Sequence, residues 1–339
     1  MTLIETNDEK QFVSDDYNYY FNKHTGFFIR WGKTSYDDPV FSHYGPEIAD
    51  IEISTICHGG CKFCYKSNQP TGVNMSFPTF KKICNKLPST VTQIAFGIGD
   101  IDGNPDLWSI MVHARERGII PNITINGSRM KPKYYDSLAL LCGAVSVSLY
   151  DYETCYNAVE ELTSRGLKQI NIHCLLSKET YDKCMRAIHD YHNDPRLSDL
   201  NAIVFLWLKP VGYRNTYHQV TSEMFKNLVA RAEEFNVPFG FDSCSASNFV
   251  NIVGDKYKMV VESCESTLFS LYINVEGKAF PCSFCENVNG YNGVDVLSAD
   301  DFINDVWFSD DFVRFRESVI LNTDKNKCRM CPIYNLRCD

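Results

Sequence analysis

From Ile51 onward the chain keeps a rhythm that few folds accommodate. Short β-rich runs at 51–55, 93–97, 120–125, 144–149, 169–175 and 203–208 alternate with helical patterns near 77–86, 105–117, 133–141, 152–165, 179–192 and 221–235. Pro78, Asn104-Pro105 and Ser222-Glu223 stand where helices start, and Gly118 and Gly166 where they stop. Repeated strand–helix alternation predicts parallel strands joined by crossover helices. That means an α/β fold, either a doubly wound sheet or a full or partial (β/α) barrel, and strand propensity does not separate them.

The flanks read differently. In residues 1–50, Phe21 to Trp31 predicts two short strands around a Thr25-Gly26 turn, and Asp37 to Pro46 reads as loop. After Val237 the rhythm breaks. Residues 268–275 and 278–280 predict a hairpin turned at Glu276-Gly277, and the acidic stretch 299–318 predicts one or two amphipathic helices. The chain therefore divides into a β preamble at 1–50, a βα core at 51–240 and a cysteine-rich α+β extension at 241–339.

Composition narrows the function classes. A net charge of −9 argues against nucleic acid and anionic membrane as partners. No apolar run reaches the roughly 18 residues of a membrane helix. The polar, acidic start has no apolar signal core, so a cytoplasmic protein is expected. Fifteen cysteines are heavy use in that setting, where clustered thiols bind metal or do chemistry more often than they form disulfides.

The sharpest local signal is Cys57-His-Gly-Gly-Cys61-Lys-Phe-Cys64-Tyr65, a CxxxCxxC motif directly after the first βα strand. Three thiolates on one glycine-bearing loop can hold three corners of a cubane and leave a fourth iron open to a ligand. A zinc site is the alternative, but His58 sits between the cysteines, poorly placed to complete it. The motif resembles the radical S-adenosylmethionine superfamily. The resemblance implies a partial (β/α)6 barrel, a [4Fe–4S] cluster on Cys57, Cys61 and Cys64, S-adenosylmethionine bound to its open iron, and an electron donor such as flavodoxin or ferredoxin. Reductive cleavage would then give a 5′-deoxyadenosyl radical that takes hydrogen from a substrate.

The tail carries Cys264, Gly277 and Cys282 in a CX12GX4C pattern, then Cys328-Arg-Met-Cys331 and Cys338. It resembles the SPASM or shorter twitch extension of these enzymes. Six cysteines from Cys264 onward, against seven in a full SPASM extension, imply one auxiliary [4Fe–4S] cluster, on Cys264, Cys282, Cys328 and Cys331. Cys244, Cys285 and Cys338 are alternates, and a zinc ribbon of Cys282/Cys285 with Cys328/Cys331 stays open.

By the same resemblance Tyr65 and the strand ends touch S-adenosylmethionine. Gly97-Ile-Gly99-Asp100 replaces the family's usual Gly-Gly-Glu-Pro, with Asp100 as acceptor for the ammonium, or is an ordinary glycine turn. Asn126, Ser148 and His173 end or line later strands, and Leu208 precedes a Pro-x-Gly segment expected along the adenine. Lys209, Tyr213, Arg214 and Tyr217 read as a solvated loop, with substrate contact as the alternative. Cys84, Cys142, Cys155, Cys174 and Cys184 read as small buried hydrophobes. SPASM-type relatives imply a peptide or protein side chain as substrate, and twitch-type relatives a small molecule.

Overall fold

The computed structural model describes residues 1–258 and 261–334. Six βα units follow one another: β5 (Ile48–Glu52) and α1 (Phe77–Lys86), β6 (Gln93–Gly97) and α2 (Leu107–Glu116), β7 (Ile120–Ile125) and α3 (Pro132–Leu141), β8 (Ala144–Ser148) and α4 (Tyr152–Thr163), β9 (Gln169–Leu176) and α5 (Tyr181–Asn193), β10 (Ala202–Trp207) and α6 (Ser222–Glu234). Their strands pair in parallel, in sequence order, and β11 (Phe239–Phe241) adds a further parallel strand. The sheet stays open: β12 (Ser270–Ile273) pairs with the far side of β5, then β13 (Lys278–Phe280) and β14 (Val294–Asp295) complete ten strands. The barrel is partial, and parallel pairing brings all six strand C-termini to one edge, where sites in such sheets form.

Local chemistry explains the elements. Ser76 caps α1 by accepting from the Thr79 amide, with Pro78 in the first turn, and Phe80, Ile83 and Cys84 bury its inner face. Asp151 caps α4 through Thr154, and Thr221, at the head of the 221–235 pattern, caps α6 by accepting from the Met224 amide. The first parallel strand runs three residues earlier than its sequence reading. Ile53 still donates to the Gly97 carbonyl at the end of β6, and the chain then leaves the ladder as the Thr55 amide turns to the Val73 carbonyl. The five cysteines read as small hydrophobes are all buried.

The preamble holds more strand than expected. β1 (Thr2–Glu5), β2 (Glu9–Val13), β3 (Asn18–Asn22) and β4 (Phe28–Trp31) form an antiparallel sheet, with Gly26 at a φ of +71° in the turn before β4. Its buried Phe12, Tyr17, Tyr19 and Phe21 pack on Leu268, Phe269 and Phe315 from the extension. β11 straddles the 240/241 division and α7 (Ala246–Val253) follows it, and at the opposite edge the same sheet continues through β12 to β14 of the extension. The Glu276-Gly277 turn joins β12 and β13 as expected. The acidic tail forms a π-helical turn (Phe302–Trp307) and α8 (Asp310–Leu321). Among the described residues no helix is long and apolar enough to cross a membrane.

A buried ion network fastens the preamble. Arg30 bonds Glu47 at 2.9 Å and Glu265 at 3.1 Å, with its guanidinium 3.4 Å from the Phe269 ring centre. Tyr17 donates to Glu47 at 2.6 Å. Burial pushes the Glu47 carboxyl from 4.5 up to about 7, against the pull of Arg30. Arg30→Ala strands that carboxylate, so urea denaturation should show a loss of about 3 kcal/mol. A raised folded pKa gives stability that is complete below the unfolded value and is lost as pH rises through the folded one. The loss should therefore be smaller at pH 5 than at pH 8, and an equal loss at both would contradict this account.

Candidate active site

The cysteine motif sits on the long β5–α1 connection. That connection folds back on itself: Cys57 N–H donates to the Gln69 carbonyl at 3.0 Å, and Thr55 N–H to that of Val73 at 3.0 Å. Gly60, at a φ of +60°, turns the tip. A Cβ placed on Gly59 would stand 3.5 Å from Cys57 Sγ and 3.6 Å from Cys61 Sγ, so these two thiols approach one point. Burial raises both thiols above their usual range, and the charge of Cys64 adds to it.

The glycine turn after β6 presses directly on this loop. A Cβ on Gly99 would lie 2.3 Å from the Ile56 carbonyl oxygen and 2.5 Å from Cys57 Cβ, so only glycine fits. Asp100, 2% exposed, stands behind the turn. Its Oδ2 accepts from the His58 amide at 3.0 Å and pairs with His58 Nδ1 at 2.6 Å, and its Oδ1 accepts from Asn126 at 3.0 Å. Asp100 thus ties the cysteine loop to the end of β7.

A cavity of about 550 Å³ opens over the strand ends. Cys57, Cys61, Cys64, Tyr65, Gly97, Gly99, Asn126, Ser148, His173 and Leu208 all line it, whereas Asp100 lies outside its lining. Burial holds His173 neutral, lowering it from 6.5 to about 4. Asp50 on β5 is exposed toward the cavity, and the protein mass around it pushes its carboxyl from 3.8 up to about 6. A second network closes one side: Lys66 meets Glu52 at 3.2 Å, Glu286 and the Tyr272 hydroxyl, which donates to Glu52 at 3.0 Å. Acidic residues alternating along β5, at Asp50 and Glu52, were a readable signal for this wall, since both faces of a parallel strand are normally apolar.

Of the later cysteines, Cys244, Cys264, Cys282 and Cys331 lie within charge range of one another, and Cys328 has no thiol among its described charged neighbours. Cys282 Sγ lies 3.6 Å from Cys285 Sγ, and their hydrogen bond, then burial, raises the Cys282 thiol. Burial lifts Cys264 to about 11, with Cys282 and Cys331 as its nearest thiol charges. It lifts Cys244 to about 12, beside Lys209, Cys264, Cys331 and Cys282. Cys328 has Asp324, Lys258 and Arg329 as charged neighbours. Cys338 lies outside the described residues.

The β10–α6 connection departs from its reading as a solvated loop. Tyr213 is exposed, but the Lys209 side chain is 9% exposed in an ion pair with Asp242, and Arg214 lines the cavity. Glycine causes the difference: at a φ of +94° a Cβ on Gly212 would meet the Cys64 carbonyl oxygen at 2.4 Å, so this segment packs onto the cysteine loop.

Three thiols on one loop, with no fourth protein ligand placed beside them among the described residues, fit a cubane that keeps one iron open. A cubane takes each thiolate on a different iron and spreads its ligands wider than a single tetrahedral ion does.

Two predictions follow from this geometry. Gly99→Ala must displace Ile56 and Cys57, so the reconstituted variant should lose the iron of one cluster; full iron content would refute the tight contact. The His173 imidazole should titrate by NMR near pH 4, and a midpoint near 6.5 would contradict its burial. Because its folded pKa is depressed, its contribution to stability is complete above pH 6.5 and is lost as pH falls through 4.

Comparison with known proteins gives the same reading. The radical SAM superfamily model matches residues 51–150, and an iron–sulfur cluster-binding domain model, SPASM, matches residues 264–332. No curated protein matches in sequence. Among solved structures, Streptococcus suis SuiB bound to its precursor peptide SuiA aligns with a TM-score of 0.73 at 14% identity, covering 99% of this chain and 95% of that one. SuiB bound to S-adenosylmethionine aligns equally well. anSMEcpe with bound S-adenosylmethionine aligns at 0.57 and 13% identity, over 80% of each chain. The cofactors that follow are a [4Fe–4S] cluster, S-adenosylmethionine and auxiliary iron–sulfur in the SPASM region. With the thiol triad after β5, the open strand-end cavity and both domain matches in place, the chain carries a radical S-adenosylmethionine domain and a C-terminal SPASM extension.

Proposed function

We propose that this enzyme modifies a side chain of a peptide or protein. The observation that carries the reading is a second groove of about 550 Å³ that adjoins the active cavity and shares Tyr65, Lys66, Ser283 and Phe284 with it. One cavity is of ordinary size for a cofactor and the residue it acts on, and the adjoining groove leaves room for the chain on either side of that residue. Structures of SuiB with its precursor peptide and of anSMEcpe with a peptide support the same substrate class.

In this reading Cys57, Cys61 and Cys64 hold the S-adenosylmethionine-binding cluster, and Cys264, Cys282, Cys328 and Cys331 hold one auxiliary cluster. Residues 51–240 form the catalytic core, 241–339 the auxiliary domain and 1–50 a cap packed against both. The bound cofactors supply the hard chemistry, a one-electron cleavage of S-adenosylmethionine whose 5′-deoxyadenosyl radical removes a substrate hydrogen. The protein binds, orients and excludes water. Gly97 and Gly99 let the backbone approach the ligand, and Asn126 and Ser148 present polar groups from neighbouring strand ends. Asp100 acts through His58 and Asn126 as a positioning residue. The neutral His173 can accept or donate a hydrogen bond without adding charge to the wall.

Two measurements test this. The reconstituted Cys61→Ala variant, given dithionite and S-adenosylmethionine, should form no 5′-deoxyadenosine yet keep the auxiliary iron; surviving cleavage would refute the triad. The wild type, given a degenerate synthetic peptide library under the same conditions, should yield peptides lighter by two hydrogens, absent from the Cys61→Ala control. Cleavage of S-adenosylmethionine with every peptide unchanged would favour a small-molecule substrate.

A further inference from the structure

The segment leaving β10 carries a cation to each cysteine group. Arg214 donates from Nη2 to the Asn68 carbonyl at 2.8 Å, just beyond the triad, and its guanidinium is the cationic neighbour of Cys57 and Cys61. Its Nε is buried with no protein acceptor. Five residues earlier, Lys209 is paired with Asp242, and its Nζ lies 5.7 Å from the ring centre of Phe284, the residue between Cys282 and Cys285. Cys282, Cys331 and Cys244 are the thiols whose charge it feels. Gly212, packed on the Cys64 carbonyl, fixes the segment between the two groups.

We infer that this one segment sets the reduction potentials of the two clusters separately, Arg214 that of the Cys57–Cys61–Cys64 cluster and Lys209, opposed by Asp242, that of the auxiliary cluster. The inference rests on the cluster ligands proposed above. Reduction adds one electron from an external one-electron donor and needs no proton, so each cluster gains a full negative charge. A cation held beside it in a partly desolvated wall stabilises the reduced form and raises the potential. Asp242 works in the opposite direction. The Lys209–Asp242 pair is therefore a balance whose two halves can be removed one at a time. Lys209, Asp242 and Arg214 act here through the clusters, as positioning residues.

The test is potentiometric titration of the full-length, reconstituted protein with dithionite and mediators, followed by EPR. Wild type is compared with Lys209→Met, Asp242→Asn and Arg214→Met. Asn at 242 keeps an oxygen for the Trp207 amide, which donates to Asp242 in the native protein. Lys209→Met should lower the auxiliary midpoint enough to cut the reduced-to-oxidised ratio about tenfold at fixed potential, about 59 mV for one electron. Asp242→Asn should raise the same midpoint. Arg214→Met should lower the midpoint of the triad cluster alone. Unmoved midpoints in cluster-loaded variants, or Lys209→Met shifting both clusters alike, would overturn the inference. If Lys209→Met fails to hold its auxiliary cluster, Asp242→Asn decides: a raised potential supports the assignment and an unmoved one ends it. A wild type with no auxiliary cluster would instead overturn the ligand reading itself, and the Lys209 half with it.

Discussion

The contact between Gly99 and the Ile56–Cys57 backbone is the constraint from which the active site is built. The triad lies on a long connection with no regular secondary structure, and such a segment orders only when its backbone groups find partners. Bonds to Gln69 and Val73 fold the connection on itself, and the Gly99 turn then presses it onto the strand edge. Asp100 adds the lateral tie, with one oxygen on His58 and the other on Asn126. Gly212 closes the third side against Cys64. Three separate βα connections thus converge on the same few residues, and that convergence turns a flexible loop into a preorganised ligand set.

Charge is arranged around the cavity with equal economy. Buried ions are costly unless paired, and those here are paired across elements far apart in sequence. Lys66 is shared by Glu52 and Glu286, Lys209 meets Asp242, and Arg30 joins the preamble to Glu47 and Glu265. Glu286 and Glu265 each directly follow a cysteine, so the pairs that brace the cavity and the preamble also anchor the loops that carry Cys285 and Cys264.

Much of this was legible beforehand, for identifiable reasons. The six βα units follow from periodicity and helix caps, which are local. The triad is readable because iron–sulfur chemistry demands thiols at tight spacing, and the later cysteines because their CX12GX4C pattern and late CxxC resemble a SPASM or twitch extension. The residues on strand ends, from Gly97 to Leu208, were placed because parallel strands deliver their C-termini to one edge. What escaped was non-local. β1 and β2 are short and polar, and their register depends on β3 and on the extension beneath. β11 spans three residues and forms only because β10 offers a free edge. For Asp100 the sequence offers an ammonium acceptor or an ordinary glycine turn, and its ties to His58 and Asn126, forty-two and twenty-six residues away, are non-local. Lys209 and Arg214 looked like a solvated loop because composition says nothing about the close approach that Gly212 permits.

The central claim is that two cysteine groups hold iron–sulfur clusters around one radical-generating cavity. The most direct measurement is anaerobic: purify and reconstitute the protein, count iron and sulfide, then add dithionite and S-adenosylmethionine and assay for 5′-deoxyadenosine. The account predicts about eight irons per chain, as two cubanes require, and release of the nucleoside. Zinc in place of iron, with no nucleoside formed, would contradict it.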